Sequence, residues 1–200
     1  MSLNADQHDA LTEVINIAFA RAAAALSDLT GERVELEVPE ISVLPLPELP
    51  KALARLTPGE TASVHQIFRG PIAGDALMLL DYTSATKLTE LLLSDERTPN
   101  HLNTSAREVL TEVGNILLNA CLGIFGNLLQ VHVSFAVPRL HLSDLTRLIN
   151  SIAIDDQSLS SALVVHTAFS MRGDTVAGYL VFILGFASLE QLIAAIEQLG

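Results

Sequence analysis

The stretches EVIN at residues 13–16 and EVGN at residues 112–115 carry the pattern from which the fold is predicted. Each is followed, after 22 further residues, by a proline, Pro39 in the first case and Pro138 in the second. The two tetrapeptides are 99 positions apart (112 − 13). A later segment at 73–92 also parallels one at 177–196, so an offset of about 100 persists over whole elements and predicts an internal duplication.

Each half has the pattern of a long helix, a strand, a connection, a hairpin and a last helix. In the first half we expect a helix at 6–30, a strand at 33–44, a Pro-rich stretch with at most a short helix, strands at 61–69 and 72–82, and a helix at 83–94. In the second half we expect a helix at 104–129, a strand at 130–138, a helix at 141–150, strands at 161–171 and 175–185, and a helix at 187–198.

This order predicts the α+β class, because a hairpin in each half supplies antiparallel pairing. We expect one mostly antiparallel sheet with the helices on one of its faces. The chain is interpreted as a single domain, 1–200, with pseudo-repeats at about 6–94 and 104–200 and a polar linker at about 94–104.

Composition narrows the class of protein. Half of the 200 residues are hydrophobic, which allows a sizeable core, and the formal net charge is −12. Such a charge disfavours binding to nucleic acid and to anionic membranes. The first residues lack the pattern of a signal peptide, and the longest apolar run (176–187) indicates a buried strand. Cys121 is the single cysteine, which is consistent with a reducing compartment. We therefore expect a cytoplasmic protein with no membrane insertion.

Helical geometry places each Glu and Asn on a face opposite the core. At about 100° per residue, Leu11, Ile15, Ala18, Ala22, Ala25 and Leu29 form the expected core stripe of the first long helix. The opposite face carries Asp9, Glu13, Asn16 and Ala20, followed by Ala23, Ala24 and Ser27. On the second long helix Val109, Val113, Leu117, Ile124 and Leu128 form the expected core stripe. Its opposite face carries Glu108, Glu112, Asn115 and Asn119, followed by Gly123 and Gly126.

A carboxylate and a carboxamide one turn apart suit a particular chemistry. Asn can both donate to and accept from a water molecule, and so hold it in line for attack. Glu can bind a cation of a partner through a charge-assisted hydrogen bond. Neither is a strong nucleophile, and the helix offers no third metal ligand. The pair therefore suits hydrolysis of a phosphoryl group that a partner supplies together with any metal.

The repeated pattern Asp/Ser-x3-Glu-x2-Asn-x22-Pro resembles that of the CheC, CheX and FliY phosphatases of bacterial and archaeal chemotaxis. Asp9, Glu13, Asn16 and Pro39 match it in the first copy, and Glu112, Asn115 and Pro138 match it in the second. The resemblance covers essentially the whole chain and is greatest to a stand-alone CheC. It implies two tandem α-β-x-β-β units in one antiparallel sheet.

The resemblance also implies an activity, the hydrolysis of the phospho-aspartate of the response regulator CheY. Asn16 and Asn115 would orient water, and Glu13 and Glu112 would contact the lysine in the regulator's active site. The Mg²⁺ would come from the regulator, so no cofactor of its own is expected. Asp9, Ala20, Glu108 and Asn119 are candidate partner-binding residues, and Pro39 and Pro138 are expected to shape the strand after each helix.

Two departures from the family pattern make the copies unequal. Glu108 stands where the family has Asp or Ser, and IAFARAA at 17–23 replaces glycines, so that Phe19 and Arg21 are expected to flank the first site. The complete motif favours the first site as the more active one.

A non-catalytic module that docks a response regulator or CheD remains the alternative function, and a flagellar-switch component is a third possibility. The histidines show no metal-ligand spacing and are interpreted as structural.

Overall fold

The computed structural model describes residues 3–57, 59–93, 101–143 and 145–198, so residues 94–100 of the predicted linker lie outside the described residues. The described helices are α1 (Ala5–Thr30), α2 (Leu49–Leu56), α3 (Tyr82–Leu93), α4 (Thr104–Leu128), α5 (Leu145–Asp155) and α6 (Phe186–Glu197). The described strands are β1 (Val34–Leu36), β2 (Glu40–Pro45), β3 (Thr61–Arg69), β4 (Gly74–Asp81), β5 (Ser134–Phe135), β6 (Arg139–Ser143), β7 (Leu159–Met171) and β8 (Asp174–Gly185). A short 3₁₀ turn at Leu46–Glu48 precedes α2.

Both long helices begin at an asparagine cap. Asn4 Oδ1 accepts from the Gln7 backbone N–H at 2.8 Å, and Gln7 Oε1 accepts from the Asn4 N–H at 2.9 Å, which completes a capping box. Asn103 caps α4 in the same way, since its Oδ1 accepts from the backbone N–H of Ala106 at 2.9 Å. These side chains satisfy backbone donors that a helix N-terminus leaves free, which explains why both helices begin where they do.

The eight described strands form one antiparallel sheet, which confirms the predicted fold class. Its order is β1-β7-β8-β4-β3-β5, with β2 also paired to β7 and β6 also paired to β3. The two halves exchange their edge strands: β1 and β2 extend the hairpin of the second half, and β6 and β5 extend that of the first. The central contact is the pairing of β4 with β8.

Helices cover both faces of the sheet, so the expectation of helices on one face was wrong. Residues of α1, α3, α4 and α6 form one apolar cluster with the sheet. Residues of α2 and α5 form a second cluster on the opposite face, with Leu77, Leu79, Val181 and Ile183 of the central strands. Because successive strand residues point to opposite faces, continuously apolar strands such as β4 and β8 require cover on both sides.

The strand after each long helix is interrupted at an equivalent point. In the first copy, Leu36 pairs with Phe169 and Glu40 pairs with His166. Between these two pairs the edge strand has four residue steps (40 − 36), whereas β7 has three (169 − 166). Between Phe135↔Phe68 and Arg139↔His65 the counts are again four (139 − 135) and three (68 − 65). Each copy therefore contains a one-residue bulge.

A proline ends each bulge, at Pro39 and Pro138. Proline has no N–H to donate to a ladder and is tolerated in sheets at edges and bulges. The continuous strand expected at 33–44 is therefore two strands. The strand expected at 130–138 is limited to β5, and the helix expected at 141–150 was wrong over 141–143, where β6 precedes α5.

The β7–β8 hairpin turns at Arg172 and Gly173, with φ of 55° and 83°. Positive φ at both central residues is the geometry of the two-residue hairpin turn whose twist matches that of the strands. The apolar run at 176–187 falls almost entirely in β8, so its prediction as a buried strand is confirmed.

Two of the described helices, α1 and α4, are long and apolar enough to cross a membrane by length and composition alone. Core helices of water-soluble proteins have the same properties, and α1 and α4 each pack one side into the cluster over the sheet.

Candidate functional site

The face of α1 that carries the first Glu and Asn is turned away from the sheet. Asp9, Glu13 and Ala20 are exposed and Asn16 is half-buried. On the other side of the helix the buried residues are Leu11, Val14, Ile15, Ala18, Phe19, Ala22 and Leu26. The expected stripe was displaced at its C-terminal end, because Ala25 is exposed and Leu29 is 61% exposed. Phe19 is buried in the core and does not flank the site, whereas Arg21 is exposed.

The second Glu and Asn occupy the corresponding face of α4. Glu108 and Glu112 are exposed, and Asn115 and Asn119 are half-buried. The buried side of the helix is formed by Ala106, Leu110, Val113, Gly114, Leu117, Leu118, Cys121, Leu122, Phe125 and Gly126. Gly126 was expected on the outer face, but a Cβ there would lie 3.2 Å from the carbonyl oxygen of Val131. Gly123, by contrast, faces open space.

The four candidate carboxylates are available to a partner. Within the described part of the chain, Glu13, Glu108 and Glu112 form no hydrogen bond or ion pair. The Asp9 carboxylate, whose side chain is 88% exposed, lies 3.8 Å from Nδ1 of His8. Exposed carboxylates that are free of internal partners can exchange water for a cation of another protein.

The two asparagines differ in their surroundings. Asn119 Nδ2 donates to Asn115 Oδ1 at 2.8 Å, across one turn of α4. Among the described residues this is the one hydrogen bond that joins two candidate site side chains. At the position equivalent to Asn119, α1 has Ala20 (119 − 99), and no hydrogen bond holds the Asn16 side chain within the described residues.

A groove of about 400 Å³ lies beside the second site. Its lining includes Glu108 and Glu112 and is otherwise mainly apolar. On α1, a groove of about 690 Å³ that includes Ala20 is lined by small side chains of the helix and by β1, and neither Glu13 nor Asn16 lines it. The two long helices therefore present unlike surroundings to a partner.

A buried polar pair on the opposite face of the sheet was not predicted from the sequence. His65 Nε2 lies 2.6 Å from Asp75 Oδ1, with side-chain exposures of 14% and 9%. His65 and Asp75 lie on the two strands of a hairpin, so no local sequence pattern indicates that they are in contact. The register of β3 with β4 brings them together. The ring of His141 lies 5.9 Å from that of His65, and burial, with the neighbouring His65 and Arg139, lowers the pKa of His141.

No group of three or more His, Cys, Asp or Glu side chains in the described ranges is arranged to hold a metal ion. Cys121 is buried, and burial raises the pKa of its thiol far above the ordinary value, which makes it inert as a nucleophile.

The chain is similar over its length to curated chemotaxis proteins, although no protein-family model matches it. It is 24% identical over 203 aligned residues to the CheY-P phosphatase CheC of Bacillus subtilis, covering 96% of this chain and 94% of CheC. It is 19% identical to the flagellar motor switch phosphatase FliY of Bacillus subtilis, covering 95% of this chain and 49% of FliY.

Solved structures share the fold. FliY from Thermotoga maritima superposes with a TM-score of 0.77 at 17% identity and covers 99% of both chains. A chain of the FliG–FliM complex from H. pylori superposes with a TM-score of 0.66 at 10% identity, covering 96% of this chain and 100% of that chain. The chain is homologous to CheC over nearly the full length of both proteins and to about half of FliY, and it shares the fold of FliY, which supports its resemblance to the CheC/CheX/FliY family of chemotaxis proteins.

Proposed function

We propose that the protein hydrolyses the phospho-aspartate of a CheY-type response regulator in the cytoplasm. The observation that carries this proposal is the occurrence of Glu and Asn one turn apart on the exposed faces of both α1 and α4, in a chain homologous to a CheY-P phosphatase. A pair that recurs at the same place in two diverged copies is more informative than either pair alone, because Asn is a poor residue for a helix interior.

The reaction requires a positioned water and little covalent chemistry from this chain. Water attacks the phosphorus atom, the bond from phosphorus to the aspartyl oxygen breaks, and inorganic phosphate and a free carboxylate result. The carboxamide of Asn16 or Asn115 would accept a hydrogen bond from the attacking water and hold it in line. Positioning of this kind is the main requirement of phosphoryl transfer.

The carboxylates would bind the regulator. Glu13 and Glu112 stand one turn before the asparagines, and the exposed carboxylate of each can pair with a lysine in the regulator's active site. Asp9 and Glu108 extend the same faces by one further turn and would act in partner binding. The metal that neutralises the phosphoryl group would be Mg²⁺ held by the regulator, and its chemistry would be the stabilisation of charge on the phosphoryl oxygens.

The test is the decay of a phosphorylated CheY-type regulator after the phosphodonor is removed, with and without this protein. We expect the wild-type protein to accelerate decay, Asn16→Ala and Asn115→Ala each to abolish the contribution of one site, and the double variant to lose stimulated hydrolysis. Asn127→Ala is a matched control, since it is the same substitution at an exposed position near the end of α4. Circular dichroism would verify that each variant is folded.

A second pair of variants separates binding from hydrolysis. Glu112→Gln removes a charge from the proposed docking face, whereas Glu190→Gln removes one from an exposed position on α6. We expect the first to weaken binding of the regulator about tenfold, because charge-assisted hydrogen bonds are stronger than neutral ones, and the second to have no effect. Equal effects of the two would contradict the proposed role of Glu112.

The second candidate function is docking without hydrolysis, to a response regulator or to CheD. The FliM-like structural neighbours favour it, because one of them is part of a FliG–FliM complex and so shows this fold in a protein–protein assembly. Under this alternative the wild-type protein would bind the phosphorylated regulator and leave its decay rate unchanged. That result would replace hydrolysis by docking as the function.

A further inference from the structure

We infer that Asn119 is a positioning residue for Asn115, so that the second site is the better organised of the two for orienting water. This inference rests on the proposed function and reverses the preference for the first site that the complete motif suggested. It also gives Asn119 a role different from direct contact with a partner.

The geometry of α4 carries the inference. Residues four apart lie above one another on a helix, and Asn119 Nδ2 donates to Asn115 Oδ1 at 2.8 Å. The last torsion of an asparagine side chain is broad and poorly held on its own. The hydrogen bond restricts the plane of the Asn115 carboxamide and uses one lone pair of Oδ1, which leaves the second for a water proton.

The first copy shows what is missing without such a residue. Ala20 occupies the equivalent place on α1 and offers no donor. Asn16 therefore keeps the freedom of its carboxamide, since its side chain has no hydrogen-bond partner among the described residues. An oriented group acts on water without the entropy loss that a rotating group undergoes at the moment of reaction.

The burial of Asn119 argues against a role in stability. Its Oδ1 is inaccessible to solvent and has no hydrogen-bond partner in the described part of the chain, which is unfavourable for the folded state. Asparagine is also less favourable than alanine within a helix. A residue selected for stability would be apolar or would have hydrogen-bond partners for both of its polar side-chain atoms. The need for a donor directed at Asn115 explains why position 119 is an asparagine.

The test uses proteins with one working site. In the Asn16→Ala background only the second site acts, and we expect a further Asn119→Ala to lower kcat about tenfold with KM unchanged. Asn119→Asp is the sharper variant, because the ionised carboxylate has the same shape but cannot donate to Oδ1, and we expect a loss at least as large. In the Asn115→Ala background we expect Ala20→Asn to raise kcat of the first site. Asn127→Ala, in either background, serves as the control without effect.

Two readouts separate positioning from structural damage and from failure of the proposed function. The thermal midpoint of Asn119→Ala should equal or exceed that of the wild type, while ¹⁵N relaxation should show the Asn115 side-chain amide becoming more mobile. The relaxation measurement requires no activity, so an immobile Asn115 amide in Asn119→Ala would overturn the inference even if the protein proved not to hydrolyse phospho-aspartate. A decay rate that the wild-type protein leaves unchanged would instead refute the proposed function, and hydrolysis that survives in the Asn16→Ala, Asn115→Ala double variant would refute the assignment of these two asparagines. In a protein that does use Asn115, an unchanged kcat in Asn119→Ala and Asn119→Asp would overturn the inference alone.

Discussion

Gly114, the glycine within EVGN, allows α4 to approach β3 closely, and replacing it tests how the second site is supported. A Cβ built at Gly114 would lie 2.6 Å from Cγ1 and 2.7 Å from Cβ of Val64. Carbon atoms in favourable contact are about 3.5–4.0 Å apart, so the helix or the strand would have to move by roughly 1 Å. Val64 cannot rotate away easily, because a β-branched side chain is stiff and this one is fully buried.

The expected free-energy change can be worked out against a matched variant in the same helix. Overpacking of this kind costs about 1–3 kcal/mol. Replacing a helical glycine by alanine gains about 1 kcal/mol in helix propensity. Gly123→Ala gains that propensity without a clash, because nothing lies within 4 Å of a Cβ there. We therefore expect Gly123→Ala to be stabilising, and Gly114→Ala to be less stable than Gly123→Ala by about 1–3 kcal/mol.

Urea unfolding followed by circular dichroism measures both free energies, provided that the m-value is unchanged. Adding Val64→Ala to Gly114→Ala should recover part of the loss, giving a coupling energy of about 1 kcal/mol or more between these contacting residues. Equal stabilisation by Gly114→Ala and Gly123→Ala, or strict additivity in the cycle, would refute the close approach of α4 to β3.

Three further predictions concern the cap of α1, the half-buried His141 and the thiol of Cys121. Asn4→Ala should lower the free energy of unfolding by about 1 kcal/mol in urea titrations, because it removes the capping box of α1; an unchanged value would contradict the cap. Because burial lowers the pKa of His141 from its ordinary 6.5, its contribution to stability is present above about pH 6.5 and is lost as the pH falls through the lowered value. His141→Phe should therefore flatten the acid side of the stability profile, whereas a profile parallel to that of the wild type would count against this. Cys121 should react with a thiol reagent only as fast as the protein opens, since it is fully buried; rapid labelling in native conditions would disprove its burial.

Much of the fold follows from local signals. The caps at Asn4 and Asn103 and the turn at Arg172 and Gly173 depend on residues close in sequence, so the helix starts and the hairpin could be predicted within a few positions. The exposed face that carries Glu13 and Asn16 was predictable for the same reason, because helical periodicity alone assigns faces. The hydrogen bond between Asn115 and Asn119 was also within reach, since it joins residues four apart on one helix.

Other features depend on partners that are distant in sequence. The segment 139–143 forms β6 because it pairs with β3, and a helical reading of its local pattern could not reveal that partner. The exact extent of the core stripes changed for the same reason, since the packing of α1 decides that Phe19 is buried and Leu29 is exposed. The pair His65–Asp75 exists only because the register of β3 with β4, in which Asp75 lies opposite Ile67, places the two side chains at diagonal positions on one face of the sheet.

The sequence by itself predicted an internal duplication, and it determined that each long helix carries Glu and Asn one turn apart on an exposed face and that hairpins make the sheet antiparallel. These follow from spacing and short-range geometry. Only the tertiary structure decided that the halves exchange edge strands, that helices cover both faces of the sheet, and that each proline ends a bulge. It also showed that EVIN and EVGN, alike in sequence, differ in what surrounds them: Asn115 is held by a neighbour and Asn16 is not. The physical reason is that strand register and packing are set by contacts between distant residues, which no local pattern specifies.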